Sequence, residues 1–566
     1  MRHASAAAWI AATAAVASLV TGCGSPDHGT VHKKAAPRAD GQDINAHPLS
    51  DIEQGGRLNL AITQWITQYN VNTVDGSQGD AQELARTVLP DLFDSDAKGA
   101  VHANPDFLLS AKVTSTSPQT VEYRLNPKAK WSDGTPLGWR DFRAQWQALN
   151  GRNKAYEAAD TSGYDQISKV AEGRDAHTVE VVFSSPYADW QRLFDPLYPA
   201  KYTSTPKQFN KGWSEKAPVT GNAFRIGSYD RTAQTITLVP DAKWWGNRPK
   251  LDAIVYRVLD FGARTEAYLN KELDSATALL PEDYKRLVKA PGTDIRRGAR
   301  WDEVHITLNG GRRALKDLRV RQAVQHAVDR KGINEAFAKD LSFQLAPLDN
   351  HFFMPNQQGY RDTSGGYATY DPKAAAKLLD AAGWKDNGEG KPRTKGGKQL
   401  TLDYVLSSGS TSAQFDQAEL VQQQLAQTGI KVNLKKVPAN DYFNRFVNRG
   451  DFDLTSFRNV DAVFLTTITP VFQQPKGRNL FQNFGSVGSP KIDALLKKAG
   501  QSTDRAEAIK LYNEADTEIW RLGHSIELYQ RPEINAVRSD LANYGSTGLA
   551  DVDYTKVGWL RKTAGK

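Results

Sequence analysis

The sequence predicts an α/β protein built from more than one lobe, and three observations predict it. The chain has 566 residues, well past the roughly 250–300 at which a single hydrophobic core stops growing. Its composition, 40% hydrophobic and 24% charged, is that of an ordinary globular protein. Short alternating apolar patterns of the strand type are mixed along its length with helical ones, without the strict βαβ rhythm or internal repeat of a barrel or solenoid. One cysteine in the whole chain rules out an intrachain disulfide framework, so stability must come from packing.

The first segment, residues 1–22, has the layout of a secretory signal. A basic start, Met1-Arg2-His3, precedes the apolar run "AAAWIAATAAVASLV" and then small residues, too short a stretch to remain as a membrane span. It closes on Val20-Thr21-Gly22-Cys23, which resembles the lipobox of bacterial lipoproteins. That resemblance implies diacylglyceryl transfer to Cys23, which becomes the first mature residue. Residues 23–54 are polar, carry Pro and Gly, lack periodicity and read as a flexible tether. His28 and His32 are four apart within it, but without a helix they share no face on which to hold a metal.

Order is expected from Gly55-Gly56 onward, opening with the strand "RLNLAIT". Further short β-rich patterns are read at "TVEYRL", "HTVEVVF", "TITLVP", "AIVYRVL", "EVHITLN", "LTLDYVL" and "IKVNLKKV". The clearest helices are "LRVRQAVQHAVDR", "PKAAAKLLDAAG" and "AQFDQAELVQQQLAQTG". The last two end in Gly, the residue favoured just past a helix C-terminus. Asp371 is placed to cap the second of the three, with Pro372 at its first turn.

Five stretches in order carry a resemblance. They are "YRLNPKAKWSDGTPLGWRDF" from Tyr123, "GNAFRIGSYDRTAQTITLVPDAKWWGNRPKLDAIVYRVL", "LKDLRVRQAVQHAVDR", "YDPKAAAKLLDAAGW" and "LAQTGIKVNLKKVPANDYFNRFVNRGDFDL". Together they resemble the extracytoplasmic solute-binding proteins of peptide-type ABC transporters (oligopeptide- and dipeptide-binding, family 5), over about residues 55–545. The resemblance implies a two-lobed, periplasmic-binding-protein-like α/β fold with a hinge and an extra subdomain in the first lobe. On this chain the first lobe would comprise 55–95, 224–305 and 531–566, the inserted subdomain 96–223 and the second lobe 306–530, with crossovers near 305 and 530. It also implies a monomer, lipid-anchored to the outer face of the cytoplasmic membrane, that takes a peptide or peptide-like solute and passes it to ABC permease and ATPase subunits. The same fold used for sensing or envelope assembly, binding a glycolipid or signal peptide, is the alternative.

In this family an acidic residue shortly after the Gly-Asp-Phe-Asp segment pairs with the ligand's amino terminus. Here that stretch is "GDFDLTSFRNVDAVF", which points to Asp461, with Phe457 or Asn459 where the family has Trp. A surface ion pair of Asp461 with Arg458 is the competing reading. Other candidates come from strand ends expected at the cleft: Gln64 and Trp65, Asn309, Ser407 and Ser408, and Tyr529. Each offers a hydrogen-bonding or stacking tip, and each has a core or turn role as its alternative. Trp131, Trp244 and Trp245 belong to the fold signature and read as packing residues.

The net charge of +8 arises from 72 basic and 64 acidic residues interleaved along the chain, without the basic and aromatic patches of a nucleic-acid binder. No HExxH, GxSxG or P-loop is present. The SxxK pairs Ser95/Lys98 and Ser204/Lys207 lack the further motifs that would make them catalytic. The expectation is a binding protein without enzymatic activity, cofactor or metal.

Overall fold

In the computed structural model, residues 41–278, 280–341, 344–460, 463–476 and 482–561 are described. Three sheets organise them. The first has strand order Arg57–Ile62, Ala253–Val258, Thr235–Pro240, Phe224–Asp230. Leu58, Leu60 and Ile62 alternate into its core, as the period-two pattern requires. The second, antiparallel, runs Leu108–Thr116, Gln119–Leu125, Thr178–Phe183, Ile167–Glu172. One hydrophobic cluster joins the two, with Trp131 buried in it and Trp244 and Trp245 packed against it. The Trp131 ring donates to Asp141 at 3.2 Å, so its one polar atom is satisfied.

The third sheet crosses between lobes. Its order is Ser275–Thr277, Ser525–Arg538, Thr293–Leu308, Leu454–Val460, Thr401–Ser407, Lys431–Val437. Thr293–Leu308, the central strand, and Ser525–Arg538, the return strand, are much longer than the rest. Their far halves pair from Thr293↔Arg538 to Ala299↔Pro532, in a cluster that includes Tyr268, Ile534 and Ala536. Their near halves pair again from Glu303↔Gln530 to Thr307↔Ser525, in a different cluster with Ile306, Leu308, Ile526 and Leu528. Between the halves Arg300, Trp301 and Asp302 stand opposite Arg531 alone, a bulge that breaks the ladder and bends both strands. Asp302, buried there, binds Arg458 at 2.7 Å and Arg531 at 2.8 Å.

The three helices read from the sequence are present. Leu318–Ala327 is followed by a second helix, Arg330–Ala338. Pro372–Ala381 is capped by Asp371, which accepts from the N–H groups of Lys373 and Ala374. Ser412–Gln427 begins in a capping box of Thr411 and Gln414. Gly383 and Gly429 follow the last two at φ +83° and +78°, where a side chain would be strained.

Order begins earlier than Gly55. Asp43 bridges Ser546, Ile52 bridges Leu560, and His47 exchanges hydrogen bonds with Asn543. Ile52 is fully buried. A segment without periodicity can still dock through a few backbone hydrogen bonds to neighbouring segments, as Asp43 and Glu53 do here with Ser546 and Trp559. The remainder of the tether, with Cys23, His28 and His32, lies outside the described residues, as does Asp461.

Candidate functional site

The near half of the central strand has two faces of opposite character. Val304, Ile306 and Leu308 alternate toward the second-lobe core. Glu303, His305 and Thr307 alternate to the other side and are nevertheless buried. The pairing His305↔Phe457 and Glu303↔Asn459 sets the Leu454–Val460 strand beside them, while His305↔Glu527 and Thr307↔Ser525 set the return strand on the other flank. Same-face neighbours on paired strands touch. The result is a small pocket, with room for about one water molecule, lined by His305, Thr307, Phe457, Asn459, Ser525 and Glu527 together with His524, Val471, Phe472, Gln482 and Phe484.

Its walls are aromatic. Phe457 meets the His305 ring edge-on at 4.6 Å and Phe484 at 6.0 Å, and Phe472 faces His524 at 5.0 Å. Its floor is a hydrogen-bonded chain. His305 lies 2.9 Å from Glu303 through Nδ1 and 3.0 Å from Thr307 through Nε2. Ser525 donates to Glu527 at 2.9 Å and lies 3.0 Å from His524. Burial dominates the electrostatics. It drives the His305 imidazole down and that of His524 to about 3, with help from the neighbouring His351. It pushes the Glu527 carboxyl up to about 8, with the Glu303 carboxylate adding to the shift. At neutral pH His305 and His524 are uncharged and Glu527 is mostly protonated.

Of the residues expected at the cleft, Phe457 and Asn459 line this pocket. Tyr529 is turned away. An extra residue, Leu528, interrupts the ladder between Val304↔Tyr529 and His305↔Glu527. That bulge reverses the alternation, and Tyr529 stacks on Phe337 at 5.0 Å within the core. Asn309 is buried and braces a turn, donating to Gly450 and Phe452 carbonyls and accepting from Gly311 N–H. Ser407 and Ser408 accept from Gly409 and Ala439 N–H groups. Gln64 donates to Gln78, and Trp65 packs under Arg231 at 5.1 Å. None of these six lines the pocket. Arg458, the competing partner of Asp461, is engaged by Asp302.

His305, Thr307, Ser525 and Glu527 were not among the residues singled out from the sequence. Their signal was nevertheless there: "EVHITL" carries three polar residues at period two on a strand whose other face is wholly apolar, and "HSIELYQ" repeats the theme.

Comparison with known proteins gives the same reading of the architecture. The model for "Bacterial extracellular solute-binding proteins, family 5 Middle" matches residues 102–467. The oligopeptide-binding protein OppA of Mycobacterium tuberculosis is 36% identical over 559 residues, covering 97% of this chain and 93% of its own. Among solved structures, the periplasmic EDTA-binding protein EppA superposes with a TM-score of 0.80 at 26% identity, over 92% of this chain and 98% of that one. The oligopeptide-binding protein AppA of Bacillus subtilis, in complex with a nonapeptide, gives 0.69 at 21% identity, over 90% and 100%. With its two lobes joined by long crossing strands, this chain belongs to the bacterial extracellular solute-binding proteins of family 5.

Proposed function

We propose that the protein is the lipid-anchored solute-binding subunit of an ABC importer, capturing peptides or peptide-like solutes between its lobes and delivering them to a membrane permease. The observation that carries this reading is the small pocket of hydrogen-bonding floor and aromatic walls beside the bulge in the crossing strands. Sites of this kind hold a ligand backbone or side chain by a few placed polar groups while tolerating variety. The names of relatives support the ligand class, since one is called oligopeptide-binding and another holds a nonapeptide. The lobes are assigned as 55–95 with 224–305 and 531–566, the insertion 96–223, and 306–530, hinged at Arg300–Asp302 and Arg531. Phe457 and Asn459 are assigned to ligand contact.

Cys23 is the anchor in this reading, holding the exported protein at the outer face of the cytoplasmic membrane. Metabolic fatty-acid labelling checks it: wild type takes up label and Cys23→Ser does not, and equal labelling of the two removes the lipoprotein assignment.

Asp461, one residue beyond the Leu454–Val460 strand, is assigned to the ligand's α-ammonium. In a closed cleft, loss of that charge leaves the ammonium unpaired. Asp461→Asn is then expected to weaken a free peptide by about a hundredfold, close to the affinity expected of an N-acetylated peptide for wild type. Calorimetry with both peptides tests this, after mass spectrometry of what co-purifies has supplied a sequence. A change within about 0–1 kcal/mol, as for an exposed ion pair, retires the anchor.

A further inference from the structure

Beneath the pocket floor, polar groups gather more densely than ligand capture requires. Glu303, His305 and Glu527 each bring one oxygen or nitrogen to a common point, all within 4.8 Å of one another. They are 3%, 4% and 3% exposed. A fourth residue approaches from outside the sheet: the fully buried His351 side chain places Nε2 3.3 Å from Glu527 Oε1.

The outer partners decide where the protons are. Asp516 accepts from the His351 main-chain N–H at 3.1 Å, lies 2.6 Å from His351 Nδ1, and takes the Thr363 hydroxyl on its other oxygen. His351 therefore carries its proton on Nδ1, and Nε2 presents a lone pair to the interior. His305 has Nδ1 2.9 Å from Glu303 and Nε2 3.0 Å from the Thr307 hydroxyl, which can donate or accept, so its proton can sit on Nε2 and leave the Nδ1 lone pair for a cation. At the centre, the His351 lone pair thus meets the Glu527 carboxyl group, with His305 Nδ1 and Glu303 beside it. Imidazole lone pairs and carboxylates are all acceptors, so an added cation or added protons must lie between them. Two of these buried atoms, His351 Nε2 and Glu527 Oε2, have no hydrogen-bond partner among the described residues. Such atoms are costly to leave unmet.

We propose that Glu303, His305 and Glu527, with His351 as fourth donor, form a binding site for one first-row divalent cation of the zinc class. Two imidazoles and two carboxylates are a donor set that Zn²⁺, Co²⁺ and Ni²⁺ accept. A tetrahedral shell with bonds of about 2.1 Å spaces its donors by about 3.4 Å. The present 2.9 Å between His305 and Glu303 and 3.3 Å between His351 and Glu527 reach that spacing through small side-chain rotations. Asp516 behind His351 and Thr307 behind His305 are the outer hydrogen bonds that fix ring orientation and ligand basicity in such sites. Calcium and magnesium fit poorly, because they require six or more oxygens or several retained waters. The ion would join the central strand, the return strand and the segment at His351 directly under the pocket, with His305 and Glu527 shared between both.

The test uses the purified protein, stripped with dipicolinate, loaded with Co²⁺ and desalted. Wild type is expected to retain about one ion per chain, with the strong visible absorption of four-coordinate Co²⁺ and imidazole scattering in X-ray absorption. The near-isosteric double variant Glu303→Gln/Glu527→Gln, compared by far-ultraviolet circular dichroism, is expected to lose about a hundredfold or more in Zn²⁺ affinity against a chromophoric chelator. Wild type that retains no more Co²⁺ than this variant overturns the site. So does retained ion with only the weak spectrum of six-coordinate Co²⁺, or without imidazole scattering. Those wild-type spectra decide the matter alone if the variant does not fold. Peptide affinity is not a readout here, so failure of this site and failure of the importer reading remain distinct.

Discussion

Whether an aspartate stabilises a fold as an anion or as an acid depends on what surrounds its carboxyl, and Asp371 and Asp195 stand at the two extremes. Asp371 receives two main-chain N–H groups at a helix start, and these hold its carboxyl below the usual range. Its stabilisation is present above the unfolded value and lost as pH falls. Asp371→Ala should lower the thermal midpoint of the second lobe by a few degrees at neutral pH, an effect that fades in acid. Asp195 is enclosed against Asp91, and burial pushes its carboxyl up to about 7, with Arg86 opposing the shift. A raised acid works the other way. The pair's stabilisation is complete below an unfolded value of about 3.9 and is lost as pH rises toward about 7. Asp195→Asn, which keeps an acceptor for the Leu92 N–H, should therefore gain on wild type as pH climbs through that window. Urea midpoints taken at both ends of it check the sign, and parallel midpoints would reject the raised Asp195 carboxyl.

At the scale of the strand, one segment serves two purposes. Ile306 is fully buried in the second-lobe core, and Ile306→Ala should cost about 2–5 kcal/mol in that lobe's denaturant transition. Asn459, on the opposite face two strand positions beyond Phe457, lines the pocket without being fully buried. Asn459→Ala should leave the transition within about 0.5 kcal/mol while weakening ligand binding. If both variants changed stability alike, the division of the strand into a core face and a pocket face would fail. This division was half legible beforehand. Alternation in "EVHITLN" announced the strand, and Phe457 and Asn459 could be picked out by their place after the Gly-Asp-Phe-Asp segment. Burial of the polar face could not be read, because period-two alternation normally marks a strand with one face in water. Here further elements cover that face. Tyr529 shows the other limit: a single inserted residue, Leu528, reverses which side it faces, and no local pattern in "HSIELYQ" announces a bulge. The helices were more legible, since caps such as Asp371 and the terminal Gly383 and Gly429 act within one turn of the chain.

At the scale of the whole molecule, the three-residue break at Arg300–Asp302 interrupts the ladder between the crossing strands, and Trp301 occupies it. Its ring packs against Gly99 so closely that a Cβ there would lie 2.6 Å away, and its Nε1 donates to the Leu549 carbonyl at 3.2 Å. Trp301 and Leu549 share a cluster with Leu348, Met354 and Tyr360 of the 306–530 segment, so rotation of one lobe on the other would alter this ring's surroundings. Closure around a ligand by bending at such a point shifts a population toward the compact form. A saturating peptide should then reduce the radius of gyration in small-angle scattering and change intrinsic fluorescence, although 13 tryptophans contribute to that signal. Trp301→Phe keeps an aromatic ring over Gly99 and is expected to retain binding, the scattering change and about 2.7 kcal/mol of ligand stabilisation at a hundredfold excess over Kd. It should lose most of the fluorescence change. If the full change survives in Trp301→Phe, the reporter lies elsewhere and the bend is not at Arg300–Asp302. If no peptide moves either signal in wild type, the protein does not close on peptides, and sensing or envelope assembly becomes the better account of its fold.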